Sequence, residues 1–184
     1  MDPFATLGLA RRYDLDLAEL ERRYRDLQRT FHPDRNAHAP AAERRLALQK
    51  AVEVNEAYRT LRDDQRRAEA LLAAVSAGLA VPGGGEAGAS QEPADPELLM
   101  EVMELREALG EATQTRDTAG VAKLAARVAD QRARTRAELE RGFANLPETP
   151  TAAALGALRA LVSRLKYYRR FLDEVAVFED EAQP

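Results

Sequence analysis

The sequence predicts an all-α protein built in two parts, and three observations carry that expectation. Apolar residues recur at spacings of three and four nearly from end to end, with no period-2 stretch that reads as a strand. Aspartates, two of them followed by proline, stand ahead of these runs where helix N-caps belong. A single stretch, 82–95 (PGGGEAGASQEPAD), breaks the helical composition with Gly, Pro, Ala and Ser. A chain of 184 residues holds one ordinary domain or two small ones, and this interruption favours two.

Asp2-Pro3 opens a short helix through about Leu9, the proline filling a first-turn position whose N–H would have no partner. Asp16 caps a second helix, along which Leu17, Leu20, Tyr24, Leu27 and Phe31 form one stripe expected to be buried. A loop, HPDRNAHAP, follows. A third helix runs from about Ala41 to Leu61, its stripe being Ala47, Ala51, Val54, Tyr58 and Leu61. Two long helices joined by so short a loop form an antiparallel hairpin. Asp63 or Asp64 caps a fourth helix through about Gly78. The expected domains are 1–77, a linker at 78–94, and a C-terminal part at 95–180.

Three helical runs make up that second part. Asp95-Pro96 opens the first, to about Thr113. Asp117 or Thr118 caps the second, to about Asn145. Thr149-Pro150 opens the last, which ends near Asp180. Along it Ala154, Leu158, Leu161, Leu165, Tyr168, Leu172 and Val175 alternate spacings of four and three, a seam that predicts a three-helix bundle.

Composition narrows the functions. With no cysteine, disulfides, Cys-based zinc sites and thiolate-held iron–sulfur clusters are excluded. His32 and His38 are too few for a histidine-rich metal site, and no metal ligand or cofactor is expected. No apolar run approaches the ~20 residues of a membrane span, and the MDPFATLGL start resembles neither a signal nor a transit peptide, so a cytoplasmic protein is expected. Residues 1–80 hold 14 Lys+Arg against 13 Asp+Glu, and 81–184 hold 13 against 18; neither balance suggests nucleic acid. The 82–95 loop lacks the Gly-Lys-Ser/Thr ending of a phosphate cradle and no strand precedes it.

Two places attract attention. Arg22, Arg25 and Arg29 fall on the face of the second helix opposite its apolar stripe, leading up to His32-Pro33-Asp34. By charge pattern alone the ordinary solvated face followed by a turn is the stronger reading. On the fifth helix Leu98, Val102, Leu105 and Leu109 form a core stripe, while Leu99, Met100, Met103, Glu104, Glu107 and Glu111 lie on the side away from it. Adaptable methionines beside carboxylates outside a core suit a binding surface; the alternative is a helix buried on both sides.

A short capped helix, a basic helix, His32-Pro33-Asp34, then a helix carrying Asn55-Glu56-Ala57-Tyr58 and Leu61 together resemble the J-domain family. The resemblance extends along nearly the whole chain to the HscB-type J-proteins, co-chaperones of iron–sulfur cluster assembly. It runs through MDPFATLGL, Arg12-Tyr13-Asp14-Leu15-Asp16, Arg25-Asp26-Leu27-Gln28-Arg29, Arg67-Ala68-Glu69, Leu71-Leu72, Leu98-Leu99-Met100-Glu101 and Glu104-Leu105-Arg106-Glu107. It implies a four-helix J-domain followed by a three-helix bundle. It also implies that His32, Pro33, Asp34, Arg22, Arg25 and Arg29 dock on an HscA/DnaK-class heat-shock ATPase chaperone and stimulate its hydrolysis. Leu99, Met100, Met103, Glu104, Glu107 and Glu111 then hold the iron–sulfur cluster scaffold protein. A family aromatic on the last helix, also implicated in scaffold contact, aligns with Leu161, which belongs to the packing seam as well. No Ser or Cys nucleophile motif accompanies His32 and Asp34, so no catalytic residue and no enzyme is expected. The alternatives are a J-domain co-chaperone for other clients, or a helical adaptor with no chaperone partner.

Overall fold

The computed structural model describes residues 1–36, 38–79 and 96–182. Among them regular structure is helical throughout: seven α-helices and one 3-10 turn. The chain divides into two units, Met1–Leu79 and Ala80–Pro184. The expected linker, 78–94, and the Asp95 cap fall almost entirely outside the described residues. No described helix is long and apolar enough to cross a membrane.

The first unit opens with α1 (Pro3–Leu7), capped by the Asp2 carboxylate accepting the Phe4 N–H at 3.0 Å. It ends two residues earlier than expected. Gly8 turns left-handed at φ 65°, so its N–H and that of Leu9 reach back to the carbonyls of Ala5 and Phe4. A residue with a Cβ pays for that conformation, and Gly does not. Helix α2 (Leu17–Thr30) starts at Asp16, whose carboxylate accepts the Ala18 N–H at 2.8 Å. A 3-10 turn (Asp34–Asn36) follows, then α3 (Ala41–Arg62) and α4 (Asp64–Leu79). Asp63 is the α4 cap, accepting the Arg66 N–H at 2.9 Å.

Helix α3 is the hub of this unit, touching α1, α2 and α4. That position corrects both expected stripes. On α3 the buried residues are Ala47, Val54, Ala57 and Leu61, with Ala51 and Tyr58 only half-buried. A helix with neighbours on several sides buries a wider arc than one stripe, which draws in Ala57. On α2 only Leu20 is fully buried; Tyr24, Leu27 and Phe31 are half-buried, and Leu17, in the first turn, is exposed. Buried Arg67 locks α4 to the end of α3: its Nη1 donates to the Leu61 carbonyl at 2.7 Å, and its guanidinium lies 5.0 Å from the Tyr13 ring centroid. A charged donor on an orphan C-terminal carbonyl meets both the hydrogen-bond and the dipole requirement of that helix end.

The second unit is α5 (Pro96–Gln114), α6 (Thr118–Ala144) and α7 (Ala152–Ala182). Asp117 caps α6 through the Gly120 N–H at 2.9 Å. Helix α7 begins later than Thr149-Pro150 predicted: Thr151 Oγ1 accepts the Ala154 N–H at 3.2 Å, and Pro150 is buried just ahead of the helix. Helices α6 and α7 pack along each other, and Gly142 lets them approach, since a Cβ there would lie 2.7 Å from Leu158 Cδ2. Helix α5 joins at the other end, where Leu105, Leu109, Ala112, Val121, Val128, Tyr168, Phe171 and Val175 form one core. Each large apolar side chain so buried contributes about 1.5–3 kcal/mol.

The seam of α7 therefore differs from the regular alternation expected. Its buried positions are Leu155, Leu158, Val162, Leu165, Tyr168, Phe171 and Val175, while Ala154, Leu161 and Leu172 are half-buried at the edge. The first part of α7 faces α6, and the later part must also cover α5, so its buried direction swings around the helix.

Candidate functional site

The tripeptide His32-Pro33-Asp34 sits where α2 ends and the 3-10 turn begins, with all three residues exposed. The Asp34 side chain is 92% accessible. Its backbone N–H donates to His32 Nδ1 at 3.2 Å. Asp34 Oδ2 lies 3.7 Å from the same ring nitrogen, so contacts only two residues long hold the imidazole beside a largely exposed carboxylate.

Arg22, Arg25 and Arg29 are exposed on one face of α2, but the strip is not bare cation. Arg22 lies 3.4 Å from Glu19, Arg25 2.9 Å from Glu21, and Arg29 3.9 Å from Asp26, each partner one turn back on the same helix. Exposed pairs of this kind are worth little and exchange readily for a partner's carboxylates. Glu21 is a positioning residue that the motif did not reveal. Besides pairing with Arg25 it accepts the Tyr58 phenol O–H from α3. The Tyr58 hydrogen bond, then Arg25, hold the Glu21 carboxyl below its usual range, and the same bond pushes the Tyr58 phenol up. Tyr58 stacks on Tyr24 with centroids 4.0 Å apart, and Tyr24 donates to Asn55 Oδ1 at 2.9 Å. The arginine face of α2 is thereby tied in rotation to α3. A sequence signal for this existed in the pairing of Tyr24 with Asn55-Glu56-Ala57-Tyr58, but only the hairpin brings the rings together.

In the second unit, one face of α5 carries all six residues singled out there. Leu99, Met100 and Met103 are 53%, 65% and 64% exposed, and Glu104, Glu107 and Glu111 are exposed too. On the opposite face Leu105 and Leu109 are buried, with Leu98 and Val102 half-buried. Helix α5 is held in this rotation by Glu101, which accepts the Tyr168 O–H from α7 at 3.0 Å and the Gln131 amide N–H from α6 at 2.5 Å. The Tyr167 O–H donates to the Val102 carbonyl at 3.2 Å, and Arg164 lies 3.6 Å from Glu97. Leu161 stands apart, on α7 and half-buried. Among the described residues no three His, Asp or Glu side chains converge as metal ligands would.

Comparison with known proteins bears on both units. The DnaJ domain family matches residues 2–70, and the HSCB C-terminal oligomerisation domain family matches residues 94–176. A co-chaperone protein HscB homolog of Vibrio vulnificus (strain YJ016) is 35% identical over 182 residues, covering 98% of each chain. One from Aromatoleum aromaticum is 46% identical over 113 residues, covering 60% of this chain and 59% of that protein. Among solved structures, chaperone HscB from Vibrio cholerae superposes with a TM-score of 0.79 at 32% identity, covering both chains fully. Human co-chaperone protein HscB gives the same TM-score at 22% identity over 97% of this chain and 82% of that one, a likeness of fold.

Proposed function

Since the chain belongs to the HscB co-chaperone family, a DnaJ domain preceding the HscB C-terminal domain, we propose that it couples an iron–sulfur cluster scaffold protein to an HscA/DnaK-class heat-shock ATPase chaperone. The exposed face of α5 holds the scaffold through Leu99, Met100, Met103, Glu104, Glu107 and Glu111, with half-buried Leu161 on α7 as a further, separate contact. Arg22, Arg25 and Arg29 steer the J-domain onto the chaperone, and His32-Pro33-Asp34 triggers its ATPase. The domains assigned to these tasks are 1–77 and 95–180. The protein works in the cytoplasm.

Neither surface performs chemistry. ATP is hydrolysed in the partner, and the cluster stays on the scaffold as cargo. The chain contributes proximity, presenting client and trigger to one chaperone molecule so that hydrolysis tightens the chaperone on that client. Pro33 restricts the loop backbone, lowering the ordering cost when His32 and Asp34 dock. Opposite charge raises the on-rate of the basic strip, an effect that salt weakens.

The observation that carries this reading is the division of α5: Met100 and Met103 lie about two-thirds exposed on a helix whose other face buries Leu105 and Leu109 at 1% and 4%. Large apolar side chains grouped outside a well-formed core mark a partner surface. The test is steady-state ATP hydrolysis by the purified chaperone. The chain alone should raise the rate, and chain plus scaffold should raise it further. An unchanged rate with the chain removes the J-domain role; stimulation indifferent to scaffold assigns the α5 face to another client.

A further inference from the structure

Beside the exposed face of α5 a cleft of about 230 Å³ opens between α5 and α7. Val102, Tyr167 and Phe171 form its apolar walls, and Arg106, Ser163, Lys166 and Arg170 its polar ones. Glu174 stands where this cleft meets a second hollow lined by Leu109, Gly110 and Phe178. Three cations against one carboxylate leave the lining positive. Arg106, Lys166 and Arg170 are exposed and make no ion pair or hydrogen bond among the described residues. They differ in this from Arg22, Arg25 and Arg29, each of which has an acid one turn away.

The charges of α5 are sorted by side. At 100° per residue, Arg106 lies on the flank toward α7 next to Leu99 and Met103, while Glu104 and Glu111 lie on the flank toward α6. The apolar strip of Leu99, Met100 and Met103, with Glu107 set between the two methionines, is thus flanked by Glu104 and Glu111 on one edge and by the cationic cleft on the other.

We propose that this cleft is a second, electropositive subsite of the scaffold-docking surface, taking an acidic side chain of the scaffold protein while its apolar residues cover Leu99 and Met103. The proposal rests on the scaffold reading above, and charge complementarity supplies the argument. Arginines presenting unshared N–H groups around an aromatic wall are suited to a carboxylate. Acids and cations on opposite edges also set the direction in which a partner lies across α5, because the reversed orientation places like charges together.

The test is binding of purified scaffold protein to the full chain by calorimetry across a salt series. The variants are Arg106→Gln/Lys166→Gln/Arg170→Gln and, separately, Met100→Ala/Met103→Ala. The neutralised triple should bind about tenfold or more weakly at low salt and show a flatter salt dependence than the parent, with unchanged helix content. A triple variant with the parent's affinity and salt slope overturns this subsite while the α5 face stands. A parent that does not bind scaffold removes the scaffold reading and this inference with it. Sedimentation separates a further occupant: a parent that dimerises, with a triple variant that does not, gives the cleft to a second copy of the chain and overturns the proposal.

Discussion

Tyr168 donates its phenol O–H to Glu101, lying 3.0 Å from both carboxylate oxygens, and so joins the middle of α7 to the start of α5. Burial first, and then Glu101, push the Tyr168 phenol up to about 12. The neutral phenol is the form the fold favours, so its contribution is complete below the ordinary tyrosine value of about 10 and is lost as pH rises toward 12. The second unit should therefore lose stability across that window in denaturant titrations. Tyr168→Phe should flatten the loss while costing about 1.5–3 kcal/mol at neutral pH through the missing bond to a charged acceptor. A variant as pH-sensitive as the parent would place the alkaline transition elsewhere.

His32→Gln and Asp34→Asn should each abolish stimulation of the chaperone ATPase while shifting the melting temperature little, because both side chains are exposed and such substitutions change stability by about 0.5 kcal/mol or less. Scaffold binding should persist, since its proposed surface lies in the other unit. Full stimulation by both variants would rule out the tripeptide as the trigger.

Arg22→Ala/Arg25→Ala should slow association with the chaperone and weaken its dependence on salt. The variant removes one cation from each of Glu19 and Glu21, leaving Glu19 with Arg23 and Glu21 with the Tyr58 O–H, so the face loses positive charge while its acids stay in place. Stopped-flow association at several ionic strengths measures this; equal on-rates would make the strip a solvated face only.

Arg67→Ala should destabilise the first unit by about 2–3 kcal/mol, since it removes a buried charged donor and strands the Leu61 carbonyl. Chemical denaturation followed by circular dichroism reads this directly. A loss under about 0.5 kcal/mol would mean that water replaces the guanidinium without penalty.

Met100→Ala/Met103→Ala/Glu104→Ala should leave the bundle's stability nearly unchanged and cost about 2 kcal/mol or more in scaffold binding. Leu105→Ala, one residue further along the same helix, should do the reverse and cost about 2–5 kcal/mol of stability. An early-melting triple variant would return the methionines to a packing role. A stable triple variant that still binds scaffold would assign the client to another surface.

Much of this was legible in the chain alone. Asp2, Asp16 and Asp117 each cap the helix that their position announced, because a cap is a local bond between a side chain and an N–H two or three residues on. The two faces of α5 were legible too: Leu105 and Leu109 buried, Met100 and Met103 exposed, because a 3.6-residue period sorts apolar from mixed positions on any amphipathic helix. The His32-Pro33-Asp34 motif stood out by spacing and context.

What tertiary structure decided lies wherever a helix meets more than one neighbour. The α7 seam moved from Leu161 and Leu172 to Val162 and Phe171 because α7 turns its buried side from α6 toward α5 along its length. Ala57 became core because α3 is packed on by three helices, and Arg67 became buried because the end of α3 offered it a carbonyl and Tyr13 offered it a ring. The cationic cleft likewise joins Arg106 to Lys166 and Arg170, sixty and sixty-four residues further on, and no periodicity within α5 or α7 relates the first to the other two. A sequence by itself determines the forces that act within a few turns of chain, which place caps, helices and faces. Which faces meet depends on the summed packing of distant segments, and that sum exists only in the folded protein.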